Sequence, residues 1–304
     1  MKSLEEFNAR FPTEDACYDY LFKARFGKGV YCPHCGHTHA YAFSDRKTFK
    51  CAKCRQRFGI RTGSIFGESK LPLYKWFLAI FLLSSSKKGI SSVQLAELVG
   101  VTQKTAWFLN HRIREVYGQK KEKLKGKVEI DETYVGGKEK NRHASKKTDG
   151  SQGRSTKTKA PVVGLVERNG SIVAQVVDSV TMRNIKVIID AAVVRKNLKL
   201  FADEYSVYNG MVKDGNRVNH AGGKYVEGDA HTNTIEGFWS LFKRGYVGIY
   251  HLMSRKHLQR YINEFCARYS LRKLDTGERF TAWFGDIDHY LGYARLTDTE
   301  GNYA

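Results

Sequence analysis

Two Cys-x-x-Cys pairs, Cys32/Cys35 and Cys51/Cys54, are separated by fifteen residues. Each pair can present two thiolates from a tight turn, and together they supply the four soft ligands that tetrahedral zinc requires. A redox Cys-x-x-Cys or a coincidence would explain one such pair more readily than two at this spacing. Four thiolates leave no open position for a reactive water, so the expected zinc is structural. His34, His37 and His39 could replace a cysteine, but four thiolates are the simpler set. Lys47, Lys50, Lys53, Arg55 and Arg57 surround the pairs, with Phe49 and Phe58 interleaved, a decoration suited to DNA. Cys17 and Cys266 fall on apolar helical faces and read as packed thiols.

A second group of residues carries oxygen ligands. Asp131 lies within an apolar strand, Val128 to Tyr134, and Asp203 ends another, Leu198 to Ala202. A carboxylate in such a strand is costly to bury unless it is paired or bound to metal. Each has an acidic neighbour, Glu132 and Glu204, and only one member of each pair can face a shared site. Strand context alone leaves the choice open. The third element is the helical segment from Asn233 to Arg244. Ile235, Phe238, Trp239 and Phe242 form its apolar stripe, and Thr232, Glu236, Ser240 and Lys243 form a neighbouring polar line. On that line Glu236 can hold a metal while Lys243, two turns on, touches a DNA phosphate. The competing explanation is a helix capping box, Asn233 followed three residues later by Glu236. Oxygen ligands on three separate elements of a basic protein suggest two magnesium ions, or manganese in their place, which would lie roughly 4 Å apart.

These groups need elements to hold them. Residues 1–27 are predicted to be helical and residues 28–62 to form the ribbon of short strands around zinc. Residues 63–120 return to helical periodicity. Within them Ser91 to Arg112 has a helix-turn-helix pattern. Ser91 or Ser92 caps the first helix, Gly100 permits the turn and Thr102 caps the second. Gln103, Lys104 and Thr105 would then reach base edges. A plain helical hairpin inside a larger core would give the same pattern. From Lys127 the period switches to strands, then to alternating helix and strand, which points to a mixed α/β domain over 127–290. Its basic loop, 137–160, holds eight Lys or Arg against Glu139 and Asp149 between 138 and 159, and is expected to lie against phosphates. Residues 291–304 read as a tail.

Composition narrows the partner. Over 304 residues the net charge is +20, a surplus that favours a polyanion and nucleic acid first. The longest apolar run, Trp76 to Leu83, is eight residues and too short for a membrane span. The first residues, Met1 to Glu6, lack the basic start and apolar stretch of a secretory signal. The expected place is the cytoplasm, on the nucleoid, where six cysteines serve as ligands or packed thiols rather than disulfides.

Taken together, the sequence resembles a bacterial insertion-sequence transposase of the DDE class, in the ISXO2-like group with an N-terminal zinc ribbon. The resemblance rests on Cys32/Cys35/Cys51/Cys54, the helix-turn-helix, Ile130 to Lys138, Ala202 to Tyr205, and His231 to Gly245, and spans essentially the whole chain. It implies a ribonuclease-H-like catalytic domain, divalent ions, and strand cleavage followed by strand transfer. It implies Asp131 and Asp203 as two ligands. For the third, the matching segment contains both Asn233 and Glu236, and Glu236 is favoured. Lys243, followed by Arg244, matches the family's basic residue after that ligand, and His231 is expected near the site. The implied partners are transposon-end and target DNA, with a homo-oligomer in the DNA complex and no membrane. Three other readings fit parts of the pattern: a transcriptional regulator that binds without cutting, a nuclease on the same catalytic fold, and an inactive domesticated relative.

Overall fold

Apolar side chains recur every three or four residues in the first third of the chain and every second residue in the middle, and the architecture divides accordingly. The computed structural model describes residues 1–119, 123–137, 141, 143–151, 153–212, 216–218 and 231–298. It forms two units, Met1–Lys120 together with Lys273–Ala304, and Lys121–Arg272.

The first unit begins with α1 (Leu4–Arg10) and α2 (Glu14–Phe26), capped by the hydroxyls of Ser3 and Thr13. Three short antiparallel strands follow: β1 (Ala40–Ala42), β2 (Thr48–Cys51) and β3 (Arg57–Gly59). Phe26, Phe49 and Phe58 pack with Cys32 and Cys51 into a small core of their own. α3 (Leu73–Ser85) has no capping side chain at Pro72, and the Glu14 carboxylate accepts the Leu73 and Tyr74 amides at 2.6 and 3.0 Å instead. α4 (Ser92–Val99) and α5 (Gln103–Gln119) are joined by a turn in which Gly100 adopts φ 66°, ψ 56°. That left-handed conformation suits glycine. Ser91 Oγ accepts the Gln94 amide and Thr102 Oγ1 the Thr105 amide, so each helix has a local cap.

The larger core of this unit contains Phe7, Phe11, Trp76 and Phe77, and also Phe280, Trp283, Phe284 and Ile287. Residues 273–290 were expected in the α/β domain and 291–304 as a free tail. Instead the segment returns to the first unit, because its aromatic side chains complete that core. Buried Arg112 fixes it further, donating to the carbonyl of Leu291 at 2.9 Å and to that of Ile65 at 3.1 Å. Residues 299–304 lie outside the described residues.

The second unit is built on a five-stranded sheet of β4 (Lys127–Val135), β5 (Ala160–Glu167), β6 (Ile172–Val176), β7 (Lys199–Asp203) and β8 (Arg217–Val218). Its order is β6-β5-β4-β7-β8. The pairs β4–β5 and β5–β6 are antiparallel, and β4–β7 and β7–β8 are parallel. One face packs on α6 (Met182–Ala192) through Val128, Ile130, Val163, Leu165, Ile185 and Ile188. The other packs on α7 (Asn233–Gly245) and α8 (Arg255–Ser270) through Val162, Val166, Phe238, Trp239, Phe242 and Ile262. The alternation decides which acidic residues meet. Even-numbered β4 residues face α6, and odd-numbered ones face α7. No helix among the described residues is long and apolar enough to cross a membrane.

Candidate active site and metal centre

The four thiols converge. Cys32 and Cys54 Sγ lie 3.6 Å apart, as do Cys35 and Cys51, and all four lie within 4.8 Å of one another. Sulfurs on a tetrahedral zinc with ~2.3 Å bonds stand about 3.8 Å apart, so the set fits a closed zinc site. Two turns bring this about. Gly36 N–H donates to the Cys32 carbonyl and Arg55 N–H to the Cys51 carbonyl, folding each Cys-x-x-Cys back on itself. His34, His37 and His39 are not needed as ligands.

The acidic residues gather on the α7 face of the sheet. Asp131 pairs in register with Gly164, and Trp239 of α7 lies directly over that glycine. Lys127 of β4 pairs with Lys199 of β7, and Asp131 and Asp203 each stand four residues beyond that pair. The paired stretch ends at Glu129 and Phe201, and the two aspartates each lie two residues beyond it, on the same face of neighbouring parallel strands. Glu236, in the first turn of α7, lines a groove of about 640 Å³ with Asp131, Ser240, Lys243 and Arg244. Three residues of the polar line read along the helix, Glu236, Ser240 and Lys243, line this groove, while the fourth, Thr232, is buried.

Burial drives the Asp131 carboxyl up to about 8, and the negative charges of Glu132, Asp203 and Glu236 push in the same direction. Acidic groups held together at such a cost form a natural cation site. Among the described residues the four thiols are the only group of three or more ligand atoms within 4.8 Å of one another, so the carboxylates form a looser set. Mg²⁺, which keeps several waters, suits such a set.

The acidic neighbours are held differently. Glu132 also lines the groove, but its carboxylate is taken up by other groups: Tyr208 Oη donates to its Oε2 at 2.7 Å and Arg154 of the basic loop lies 3.9 Å from Oε1. Burial raises its carboxyl above the usual range, against the hydrogen bond from Tyr208. Glu204 follows the end of β7 and is exposed. The capping-box explanation of Glu236 does not hold. The N-cap is Thr232 rather than Asn233, and the Thr232 hydroxyl donates to Glu236 Oε1 at 2.7 Å. Asn233 is exposed at the first position of α7, whereas Glu236 lines the groove.

Residues 123–270 match the ISXO2-like transposase domain, and residues 12–57 match the transposase zinc-ribbon domain. Both regions are similar to parts of insertion-sequence transposases. The transposase-domain match runs almost edge to edge with the second unit, Lys121–Arg272, and the ribbon match takes in α2 and all four cysteines. The chain is also 28% identical over 272 residues to an uncharacterized protein in transposable element ISH50 of Halobacterium salinarum, covering 85% of this chain and 91% of that protein. No solved structure matches.

The other residues singled out in the sequence have the following surroundings. Gln103, Lys104 and Thr105 open α5, with Gln103 Nε2 donating to Ser92 Oγ at 2.9 Å and Lys104 Nζ 5.1 Å from the Tyr293 ring centre. Of the basic loop, residues 138–140, 142 and 152 lie outside the described residues. In the rest, Lys157 and Lys159 donate to loop carbonyls and Arg154 stacks on Tyr205. His231 lies beside Glu129, its Nδ1 3.2 Å from Oε1, in a separate groove with Lys125, Lys127 and Arg168.

Glu129 itself was not anticipated. It is fully buried and accepts the backbone amides of Thr234 and Ile235 at 2.9 and 3.0 Å. Thr234 Oγ1 and Arg168 Nε donate to its other oxygen at 2.8 and 2.7 Å. One signal was available. An acid two residues before Asp131 in an apolar strand shares its face, by the same period of two that separates Asp131 from Glu132.

Proposed function

We propose that this chain is a DDE transposase that binds the terminal inverted repeats of an insertion sequence and catalyses DNA strand cleavage and strand transfer, with Asp131, Asp203 and Glu236 as ligands of Mg²⁺ or Mn²⁺. The observation that supports this reading is that Asp131 and Glu236 line one groove, while Asp203 follows the paired stretch of the parallel strand beside β4 and its charge helps raise the Asp131 carboxyl. The sheet order β6-β5-β4-β7-β8, with three antiparallel strands and two further parallel ones, supports a ribonuclease-H-like catalytic fold. Bound divalent ions would stabilise the charge on the attacking and leaving oxygens of an in-line displacement.

The protein groups do the rest. Asp131 and Asp203 from neighbouring strands and Glu236 from the start of α7 supply three oxygen ligands from elements of one unit. Lys243 and Arg244, two turns further along the groove, neutralise the phosphates on either side of the scissile bond. In the first step a water oxygen bonds to phosphorus at the element end. The phosphorus–O3′ bond breaks and leaves a 3′-hydroxyl on the element. In the second step that hydroxyl oxygen attacks a target phosphorus and displaces the target's own O3′. The number of phosphodiester bonds is preserved in the second step, so it needs no energy source.

Zinc at Cys32, Cys35, Cys51 and Cys54 would hold the ribbon, and α4 and α5 would act as the helix-turn-helix, with Gln103, Lys104 and Thr105 against base edges. Joining two ends requires a dimer or larger assembly on DNA. Integration assays with supercoiled plasmid test the reading. The wild-type chain is expected to cut end-bearing DNA with Mg²⁺ and join the 3′ end to the plasmid, and Asp131→Asn to do neither. Normal integration by that variant would refute the ligand assignment. Binding of ends without any cut would indicate a regulator, and cutting without joining a nuclease.

A further inference from the structure

We propose that Glu129 is a positioning residue of the active site: its buried carboxylate docks the start of α7 onto β4 and so sets the separation of Glu236 from Asp131. α7 begins without a cap of its own. Thr232 adopts φ −119°, ψ 15° and makes no side-chain cap bond, since its hydroxyl is given to Glu236. The second and third amides of the helix, Thr234 and Ile235, would be left without acceptors in a buried setting, and Glu129 Oε2 accepts both. A carboxylate there also meets the positive end of the helix. Arg168 balances its charge, donating to Glu129 from Nε and to the His231 carbonyl at 2.9 Å from Nη2, with the guanidinium 4.1 Å from the Phe201 ring centre.

The geometry turns this cap into a gauge. Glu129 and Asp131 are two apart on one face of β4, and Ile235 and Glu236 are consecutive on α7. Fixing Glu129 against the Thr234 and Ile235 amides therefore fixes Asp131 against Glu236. Outer partners of this kind orient the groups that touch a metal, and their loss costs about 10- to 100-fold in metal affinity. The effect on metal affinity depends on Asp131 and Glu236 being ligands, as proposed above. The docking itself does not.

The test uses the full chain and three measurements: amide hydrogen exchange over residues 232–238, the Mg²⁺ concentration that half-saturates its thermal stabilisation, and binding of end DNA. Glu129→Gln keeps the shape but turns one acceptor into a donor facing N–H groups. It is expected to speed exchange at Thr234 and Ile235 about 10-fold and to raise the Mg²⁺ midpoint about 10-fold, with end binding within about 2-fold of wild type. Should that variant fail to fold, Thr234→Val removes only the hydroxyl bond and is expected to move both readings in the same direction, about 3-fold. Ile188→Val, in the core on the opposite face, lowers stability without touching the dock and is expected to leave the Mg²⁺ midpoint unchanged. Unaltered exchange at Thr234 and Ile235 in Glu129→Gln overturns the proposal, as does an equal midpoint shift in Ile188→Val. If the wild-type chain shows no Mg²⁺ stabilisation at all, the ligand assignment falls, and the exchange comparison still decides the dock.

Discussion

Trp239 occupies the space that a side chain on Gly164 would need: a Cβ there would lie 2.6 Å from Trp239 Cζ2 and 3.0 Å from Cη2. The indole rests against the strand directly beside Asp131, and this close approach lets α7 bring Glu236 down to the sheet. Gly164→Ala is expected to push α7 outward and to destabilise the second unit by about 1–3 kcal/mol, the usual range for overpacking. Urea unfolding would show the loss, and Mg²⁺-dependent cleavage should fall more than end binding. Unchanged stability would mean that the helix can shift freely.

The raised Asp131 carboxyl predicts an acid-favouring profile for the metal-free chain. The folded state holds this proton up to about 8, whereas an unfolded Asp releases it near its ordinary 3.8. The stabilising contribution is complete below the ordinary value and is lost as pH rises through about 8. In chelator, the melting temperature of Asp131→Asn should therefore exceed that of wild type by a margin that widens from pH 5 to pH 8.5. Mg²⁺ should restore the wild-type value at the upper end. Parallel profiles for the two proteins would count against burial of this carboxyl as the cause.

Removing zinc should act on one unit. Cys32 and Cys51 belong to the small core of Phe26, Phe49 and Phe58, and no residue of the α/β sheet shares that core. Cys51→Ser is expected to lower metal content from about one zinc per chain to near zero. End binding should be lost, while the far-ultraviolet signal and the unfolding transition of the second unit persist. Collapse of both units together would show that the ribbon supports more than its own fold.

Along the groove, Lys243→Ala should weaken DNA binding at every sequence alike. The slope of log affinity against log salt should flatten by about one, the contribution of a single phosphate contact. A sequence-dependent loss with an unchanged slope would instead place Lys243 at a base edge.

The two candidate metal sites differ in how openly the sequence declares them. Cys32/Cys35 and Cys51/Cys54 are local turns with a known spacing, so chain order alone brings each pair together. The strands around Asp131 and Asp203 and the helix bearing Glu236 were legible from their apolar period. The choice of Asp131 over Glu132 was not, because a period of two shows that neighbours part without saying which face meets α7. Register sets Asp131 opposite Gly164, beneath Trp239 of α7. Glu129 remained hidden because its partners are backbone amides more than a hundred residues away, which carry no sequence signature. The return of residues 273–298 to the first unit was hidden too, since Phe280 and Trp283 are equally suited to either core.

That return bears on how the molecule comes off the ribosome. Domains fold as units during synthesis, as soon as their last residue is free. The α/β unit is complete once Arg272 has emerged, whereas the unit that began with Met1 still lacks Phe280, Trp283, Phe284 and Ile287. The half translated first therefore receives the last residues of its core only after every residue of the other half has been made.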